Sequence, residues 1–419
     1  EFSKSARVRA ELTPRLLLLA QQAKKADIGL TVDAEEADRL ELSLDLIEAV
    51  YRDSSLSGWE GFGLAVQAFQ KRGLFVIEWL EALTRKTGRK MQVRLVKGAY
   101  WDTEIKRSQE QGLSGYPCFT RKANTDVAYL VCARKLLAAR DVFYPMFATH
   151  NAHTVAALRV YAGDEGGYEF QRLHGMGEAL YQVIKEDGLA PCRVYSPVGS
   201  HEELLPYLVR RLLENGANTS FVNRIFDETT PAEALVADPV AFVKALTNKT
   251  NPALPLPSDL YGDERKNSLG LNLVSEVELV ELEAQLTRHV RTGGRPTGKS
   301  KITNPADRRQ VVGEWTPRDV QKTSAVVEAA ADAYPGWNGT SVETRAQILT
   351  KAADVLEVRK TEFLYLLIRE AGKILADANA EVRAAVDFVR YYAATAREGR
   401  AAATGRGPAG GTNARPRRG

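Results

Sequence analysis

Six strand-like segments in the first half of this 419-residue chain each end in a polar residue, and helix-like segments separate them. The segments are GLTVDAE (29–35), GLAVQAF (63–69), VRLVKGAYW (93–101), YPMFATHNAH (144–153), YEFQRLHG (168–175) and CRVYSPVG (192–199). Alternation of strands and helices predicts a parallel sheet. Polar residues at the carboxyl ends of many such strands are typical of a (β/α)-barrel, whose active site lies at that end. We therefore predict an α/β fold and an enzyme.

The polar residues at these strand ends supply candidate functional groups. They are Asp33, Gln67, Lys97, His150, His174 and Tyr195. The carboxyl ends of all strands meet at one face of a barrel, so we expect these side chains to converge there. A closed barrel of this kind has eight strands, and the chain offers six. We therefore expect an incomplete barrel, with two further strand–helix units ahead of residue 1.

Helix periodicity organises the remainder of the chain. Apolar residues at helical spacing predict helices at 9–26, 36–51, 71–86, 123–139, 201–215, 318–333, 342–370 and 375–397. The stretch NPALPLPSDLYGDE contains prolines that exclude a regular helix. The run 399–419, rich in Gly, Ala and Arg, predicts a disordered tail.

Composition narrows the class of protein. Hydrophobic residues make up 44% and charged residues 26%, as in ordinary globular chains, and no apolar run approaches the ~20 residues of a membrane span. The three separated cysteines, Cys118, Cys132 and Cys192, favour a reducing cytosol and argue against a disulfide framework or a zinc site. The net charge of +4 depends on five arginines in 399–419, so we predict no nucleic-acid partner.

Lysine and histidine residues at two strand ends allow several chemistries. Lys97 could form a Schiff base if it is desolvated, its charge could lie against an anionic cofactor, or it could be an ordinary surface lysine. His150 and His153 have a spacing that could serve a metal ion. Since no third ligand group stands nearby in the sequence, we expect hydrogen-bonding histidines instead.

Arg210 and Arg211 lie in the helix predicted after the sixth strand, about one turn beyond Tyr207. Adjacent side chains on a helix point about 100° apart, so the two guanidinium groups could hold an anion from two directions. A solvated basic face is the alternative. The neighbouring Leu205 and Leu208 predict that this helix is partly buried.

The stretch NGANTSFVNR, after the same helix, offers small polar groups that suit phosphate or adenosine. We expect no phosphate-binding loop of the GxGxxG or GxxxxGK[ST] type anywhere in this chain. A bound nucleotide would therefore be held in a barrel and not in a Rossmann crevice.

Long motifs of the chain resemble one family. TVDAEEADRLE, RLVKGAYWDTEIKRSQ, FATHNAHT, YEFQRLHGMGE and CRVYSPVGSHEELLPYLVRRLLENGANTSFVNR look like the proline dehydrogenase barrel of the bifunctional bacterial enzymes called proline utilization A. ITNPADRRQVVGEW, RAQILTKAADVLE, REAGK and EVRAAVDFVRYYA are similar to the opening of their aldehyde dehydrogenase module. The resemblance covers nearly all of 1–398.

The resemblance implies an incomplete (β/α)8 TIM barrel of about six strands, followed by the α-helical start of an aldehyde dehydrogenase domain. The implied segments are an FAD-binding proline dehydrogenase barrel that lacks its first strands (1–225), a connector (226–300), the N-terminal part of an aldehyde dehydrogenase domain (301–398) and the disordered tail (399–419).

The activity implied is FAD-dependent oxidation of L-proline to Δ1-pyrroline-5-carboxylate, with electrons passed to a membrane quinone. A second, NAD-dependent module would oxidise the hydrolysed product to glutamate. The family resemblance also implies a cytoplasmic protein with peripheral contact to the inner membrane, and a homo-oligomer in the full-length enzyme.

Residue roles follow from the same motifs. Arg210 and Arg211 would hold the proline carboxylate, with Tyr195 and Asp33 beside the ring. Tyr100, Leu173 and Tyr207 would complete the substrate pocket. The implied FAD contacts are Gln67, Arg94, Val96, Lys97, Gly98, Ala99, Trp101, Thr120, Lys122, His150, Glu214, Ser220 and Phe221.

Two alternatives to this activity stay open at the level of sequence. The aldehyde dehydrogenase segment contains none of the three cysteines, so we expect no second activity from this chain. The chain could be an inactive truncated fragment, or it could be a Schiff-base aldolase that uses Lys97.

Overall fold

The computed structural model describes residues 4–186, 188, 190–216, 237–292, 300–316 and 319–398. The predicted disordered tail lies outside them. The chain divides into two compact units, the first made of Glu1–Arg107 and Tyr116–Leu254, the second of Ser108–Gly115 and Pro255–Gly419.

The first unit is built on one all-parallel sheet whose six strands follow one another in chain order. The strands are Leu30–Val32 (β1), Phe62–Gln67 (β2), Met91–Val96 (β3), Phe143–Ala148 (β4), Glu169–Leu173 (β5) and Cys192–Tyr195 (β6). Sequential parallel order is the order of a (β/α)-barrel, and the sheet curls into part of one. The six predicted strands are confirmed.

Helices separate these strands along the chain. They are Ser5–Lys25 (α1), Leu40–Tyr51 (α2), Gly73–Thr87 (α3), Trp101–Gln111 (α4), Lys122–Ala138 (α5), Ala152–Ala162 (α6), Glu178–Glu186 (α7), His201–Gly216 (α8) and Pro239–Ala245 (α9). Periodicity predicted the longer ones but did not single out α4, α6 or α7. These three helices are short, with 9 to 11 residues, and α4 is mostly polar, so each offers few turns over which an apolar period can be recognised.

Alternate residues of each strand point to opposite faces of the sheet. In β3, the side chains of Met91, Val93 and Leu95 are buried in the main core, together with helix residues such as Ile77 and Leu136. The helices therefore cover this outer face. The intervening residues of the strands line the inner face, toward the barrel axis.

Helix α8 begins as predicted but is less buried than expected. The amide of Glu203 donates to Ser200 Oγ at 3.4 Å, and its carboxylate accepts from the amide of Ser200 at 2.8 Å, which is a capping box. Leu205 and Leu208 are 52% and 47% exposed. Leu204 and Tyr207 on the same helix are partly buried, so the expectation of a partly buried helix is met by these two residues but not by Leu205 and Leu208.

The second unit holds an antiparallel hairpin and a set of helices. The elements are Glu276–Thr292 (α10), Ser300–Asn304 (β7), Asp307–Trp315 (β8), Val320–Gly339 (α11), Val342–Val358 (α12), Lys360–Arg369 (α13) and Leu375–Glu398 (α14). The single helix predicted over 342–370 is two helices that meet at Arg359. Within the described residues, no helix has both the length and the apolar character needed to cross a bilayer.

Candidate active site

The strand register brings the predicted residues to one end of the inner face. Gln67 lies opposite Val96 in the last pair of β2 and β3, and Leu173 lies opposite Tyr195 in the last pair of β5 and β6. Asp33 follows β1 directly. Strand ends that were 162 residues apart in the sequence, at Asp33 and Tyr195, therefore belong to a single edge of the sheet.

Arg94 is the centre of this edge. Its Nη1 donates to Asp33 Oδ1 at 2.5 Å, and its Nε donates to Gln171 Oε1 at 2.7 Å. Its guanidinium carbon lies 5.4 Å from the centroid of the Tyr195 ring, within cation–π range. The structure thus brings together three residues that the sequence motifs grouped, Arg94 on β3, Asp33 after β1 and Tyr195 on β6.

A polar cluster that the sequence did not reveal continues from Arg94. Glu169 is 2% exposed and accepts from Arg193 at 2.8 and 2.9 Å, in a bidentate contact. It also accepts from Gln171 Nε2 at 2.7 Å and from the Tyr144 hydroxyl at 3.3 Å. The alternation of YEFQRL could have suggested that Glu169 and Gln171 share one face, but not which face.

The loop that follows β1 contacts two more of the predicted residues through Glu35. The Tyr100 hydroxyl donates to Glu35 Oε2 at 2.5 Å, and Gln67 Nε2 donates to the Glu35 carbonyl at 2.7 Å. Asp33, Glu35 and Gln67 also line a cavity of about 110 Å³. Gln67 is 4% exposed, yet its Oε1 has no hydrogen-bond partner among the residues that the structure describes. A buried amide oxygen of this kind is an open acceptor for a ligand.

The same loop is held from its other side by helix α4 and by Arg72. Glu104 is 3% exposed and accepts from the amide of Ala37 at 2.6 Å, while Arg107 donates to Asp38 at 2.7 Å. Arg72 donates to the Ala37 carbonyl at 2.6 Å. Burial raises the pKa of the Glu104 carboxyl above its ordinary value, although the Ala37 hydrogen bond acts in the opposite direction. These contacts hold the end of the loop that carries Asp33 and Glu35.

The segment after β3 contains Lys97, Gly98, Ala99 and Trp101 in succession. The Lys97 ammonium forms an ion pair with Asp126. An ammonium group held by a carboxylate is a poor nucleophile, so this contact lends no support to a Schiff-base lysine. Trp101 Nε1 donates to the Phe119 carbonyl at 2.8 Å, which fixes the ring at the start of α4.

The remaining predicted contacts surround the same end of the sheet. His150 Nε2 accepts from the amide of Leu173 at 3.3 Å, so this histidine joins β4 to β5. Thr120 Oγ1 accepts from the amide of Asn251 at 3.0 Å, and Lys122 is the first residue of α5. Tyr207 lies on α8.

Part of the predicted site lies where the structure gives no side-chain description. Arg210, Arg211 and Glu214 belong to α8, but their side chains lie outside the described residues. Ser220 and Phe221 also lie outside the described residues. In the described part of the chain, no group of three or more His, Cys, Asp or Glu side chains is arranged to hold a metal ion.

One nucleotide-binding pattern outside the barrel has the wrong structural context. GGRPTGKS, at 293–300, matches the spacing GxxxxGK[ST]. A phosphate-binding loop of that type follows a strand and precedes a helix. Here α10 ends at Thr292 and β7 begins at Ser300, which is the reverse order. We therefore assign no phosphate-binding role to this match.

Comparisons with known proteins agree with this fold. The model of the proline dehydrogenase family matches residues 2–224, more than half of the chain, and the aldehyde dehydrogenase family model matches residues 294–414, beyond the Glu398 at which the sequence resemblance was expected to end. Bifunctional protein PutA of Salmonella typhimurium is 48% identical over 94% of this chain and 32% of its own length. The chain thus spans about a third of this relative.

A second relative matches a smaller share of this chain, and a solved structure matches nearly all of it. 1-Pyrroline-5-carboxylate dehydrogenase 2 of Bacillus subtilis is 41% identical over 24% of this chain and 20% of its own length. A crystal structure of a mutant proline utilization A from Bradyrhizobium japonicum has a TM-score of 0.85 and 49% identity, over 94% of this chain and 38% of that one. The chain therefore belongs to the proline dehydrogenase family, in the PutA group whose proline dehydrogenase module is joined to an aldehyde dehydrogenase module.

Proposed function

We propose that this chain binds FAD and oxidises L-proline to Δ1-pyrroline-5-carboxylate, as one step of proline catabolism to glutamate. The observation that carries the proposal is the row of polar side chains around Arg94 at the carboxyl end of the parallel sheet, inside the segment that matches the proline dehydrogenase family. That end is where barrel enzymes hold their substrates.

The described residues suit a flavin in two respects. The Oε1 of the buried Gln67, which has no partner within the described part of the chain, can accept from a ring N–H, which removes a desolvation cost of about 1–3 kcal/mol. Arg94, Lys97 and Lys122 supply positive charge for the pyrophosphate and for the electron-rich end of the flavin ring. The other residues proposed to contact FAD are Val96, Gly98, Ala99, Trp101, Thr120, His150, Glu214, Ser220 and Phe221.

Bound FAD supplies a hydride acceptor for the hydrogen at C5 of proline. The task of the chain is to hold the proline ring in one orientation against it. We infer that Arg210 and Arg211 bind the carboxylate, with Tyr195 and Asp33 beside the ring. Leu173, Tyr100 and Tyr207 would enclose its apolar face.

Steps after proline oxidation involve the rest of a longer enzyme. We propose that a quinone in the membrane would accept the electrons released by proline oxidation. The segment that matches the aldehyde dehydrogenase family points to a following NAD-dependent oxidation of the aldehyde form of the product. The PutA relatives are named bifunctional proteins.

Proline-dependent dye reduction tests this proposal. The 419-residue chain, loaded with FAD, should reduce an artificial electron acceptor when L-proline is added, and it should not do so with D-proline. Arg211→Met should raise the KM for L-proline at least about tenfold, because a charged contact to the carboxylate is lost. The control Arg7→Met removes an exposed arginine, 72% accessible, and should leave the KM unchanged. A folded, FAD-loaded chain without proline-dependent reduction would refute the proposal.

A further inference from the structure

Among the described residues, Gln171 alone forms hydrogen bonds with both the Arg94 side chain and the buried Glu169 carboxylate. Its side chain is 1% exposed, and both ends of its amide are used. Oε1 accepts from Arg94 Nε at 2.7 Å, and Nε2 donates to Glu169 Oε1 at 2.7 Å and to Met146 Sδ at 3.1 Å. Neither Gln171 nor Glu169 was a candidate from the sequence.

Only one orientation of the Gln171 amide satisfies both of its neighbours, Glu169 and Arg94. An ionised carboxylate can only accept, so Glu169 requires the NH₂ end of the Gln171 amide to face it. The carbonyl end must then face Arg94, whose guanidinium can only donate. A reversed amide would place a donor against the donor of Arg94 and an acceptor against the Glu169 carboxylate. Glu169 therefore sets the orientation of Gln171, and Gln171 sets the position of Arg94.

Glu169 is itself held in place. Arg193 binds it at 2.8 and 2.9 Å through two nitrogens, and the Tyr144 hydroxyl lies 3.3 Å from its second oxygen. Bidentate pairing of this kind fixes direction as well as distance. The chain of contacts begins at this anchored carboxylate on β5 and ends at Arg94 on β3, with β4 between the two strands.

We propose that Glu169 and Gln171 are positioning residues, which hold the Arg94 guanidinium in the orientation that binds the flavin. This inference rests on the proposed function, since it assumes that Arg94 contacts FAD. Neither residue touches the cofactor or the proline in this account. Their effect is exerted through the direction of one amide and one guanidinium group.

Exchange of the two side chains separates this role from simple packing. Glu169→Gln keeps the size but removes the constraint on amide direction, and Gln171→Leu removes the acceptor for Arg94. In the double variant Glu169→Gln/Gln171→Glu, the new carboxylate at 171 accepts from Arg94. The new amide nitrogen at 169 donates to that carboxylate, and the amide oxygen accepts from Arg193 Nη2, while Arg193 Nε loses its acceptor. The polarity of the link from residue 169 to Arg94 is then restored with the two groups in exchanged positions, at the cost of one of the two Arg193 contacts.

The test measures FAD affinity by flavin fluorescence and the flavin midpoint potential by dye-coupled titration, with melting temperature as a check on folding. We expect Glu169→Gln and Gln171→Leu to raise the Kd for FAD at least about tenfold and to shift the potential, toward the values of Arg94→Met. The double exchange should recover most of this loss. Gln182→Leu, which removes an exposed amide bonded to Glu186, is the matched control and should change neither quantity.

Two outcomes would overturn the positioning role. One is a folded single variant at each position with unchanged FAD affinity and potential, and the other is a double exchange no better than Glu169→Gln alone. Failure of the proposed function looks different. A wild-type chain that binds FAD but does not oxidise L-proline would refute proline oxidation, and the affinity and potential of the variants would still decide the role of Glu169 and Gln171.

Discussion

The Arg94 guanidinium donates to the carboxylate of Asp33 at 2.5 Å, so a side chain from the inner face of β3 reaches the residue that follows β1. Arg94 is 18% exposed and Asp33 is 69% exposed. One partner of the pair is thus held by the sheet while the other remains open to solvent. Such an arrangement suits a carboxylate that meets a substrate.

Removal of the Asp33 carboxylate should affect catalysis more than stability. Asp33, the carboxylate of the pair, is mostly exposed, and an ion pair open to solvent contributes about 0–1 kcal/mol, so Asp33→Ala should change the free energy of unfolding by no more than about 1 kcal/mol. We expect kcat/KM for L-proline to fall at least about tenfold. Urea unfolding and the dye assay measure the two effects. Asp45→Ala, which breaks the exposed ion pair with Arg9, should leave kcat/KM unchanged, and an equal loss in both variants would argue against a role for Asp33.

Gly98 should tolerate no side chain. Its φ of +129° is a conformation that L side chains rarely adopt, and a Cβ would lie 2.4 Å from Phe69 Cδ1. Gly98→Ala should therefore lower the free energy of unfolding by about 2 kcal/mol or more. The control Gly166→Ala adds a methyl group where no atom lies within 4 Å and should have little effect. Equal stability of the two variants in urea would contradict the structure.

The three cysteines should differ in reactivity. Burial raises the pKa of Cys118 to about 12 and that of Cys132 to about 11, whereas Cys192 is partly exposed. Because the thiolate is the reactive form, the folded chain should show one faster thiol and two much slower ones with Ellman's reagent. Cys192→Ser should abolish the fast phase. Its persistence in that variant would show that one of the other thiols is accessible.

Glu104 should make stability depend on pH. Burial raises the pKa of its carboxyl in the folded chain above the ordinary value of 4.5, so the folded chain binds this proton more tightly than the unfolded chain. The associated stability is fully present below pH 4.5 and is lost as pH rises through the folded-state pKa. The unfolding free energy of the wild type, relative to Glu104→Gln, should therefore fall on going from acid toward neutral pH. A constant difference across this range would contradict the assignment.

The number, order and direction of the strands could be predicted because short apolar segments alternated with helical ones. Strands such as FGLAVQ carry this signal locally, in six consecutive buried positions. The polar ends, including Gln67 and Tyr195, were recognisable for the same reason. Parallel pairing in chain order then required no further information.

The contacts within the site could not be predicted, because they depend on which residues meet across strands. Arg94 and Gln171 are 77 residues apart, and Glu169 and Arg193 are 24 residues apart. Nothing local in QVRLV or EFQRL specifies these partners. The exposure of Leu205 also could not be read from an apolar stripe, since burial depends on the neighbour that covers it.

The most direct measurement is the visible absorption of the 419-residue chain loaded with FAD and mixed with L-proline without oxygen. The account predicts loss of the oxidised flavin band with L-proline, no loss with D-proline, and return of the band when an electron acceptor is added. A stable flavin band in the presence of saturating L-proline, in a chain that has bound FAD and remains folded, would contradict proline oxidation by this site.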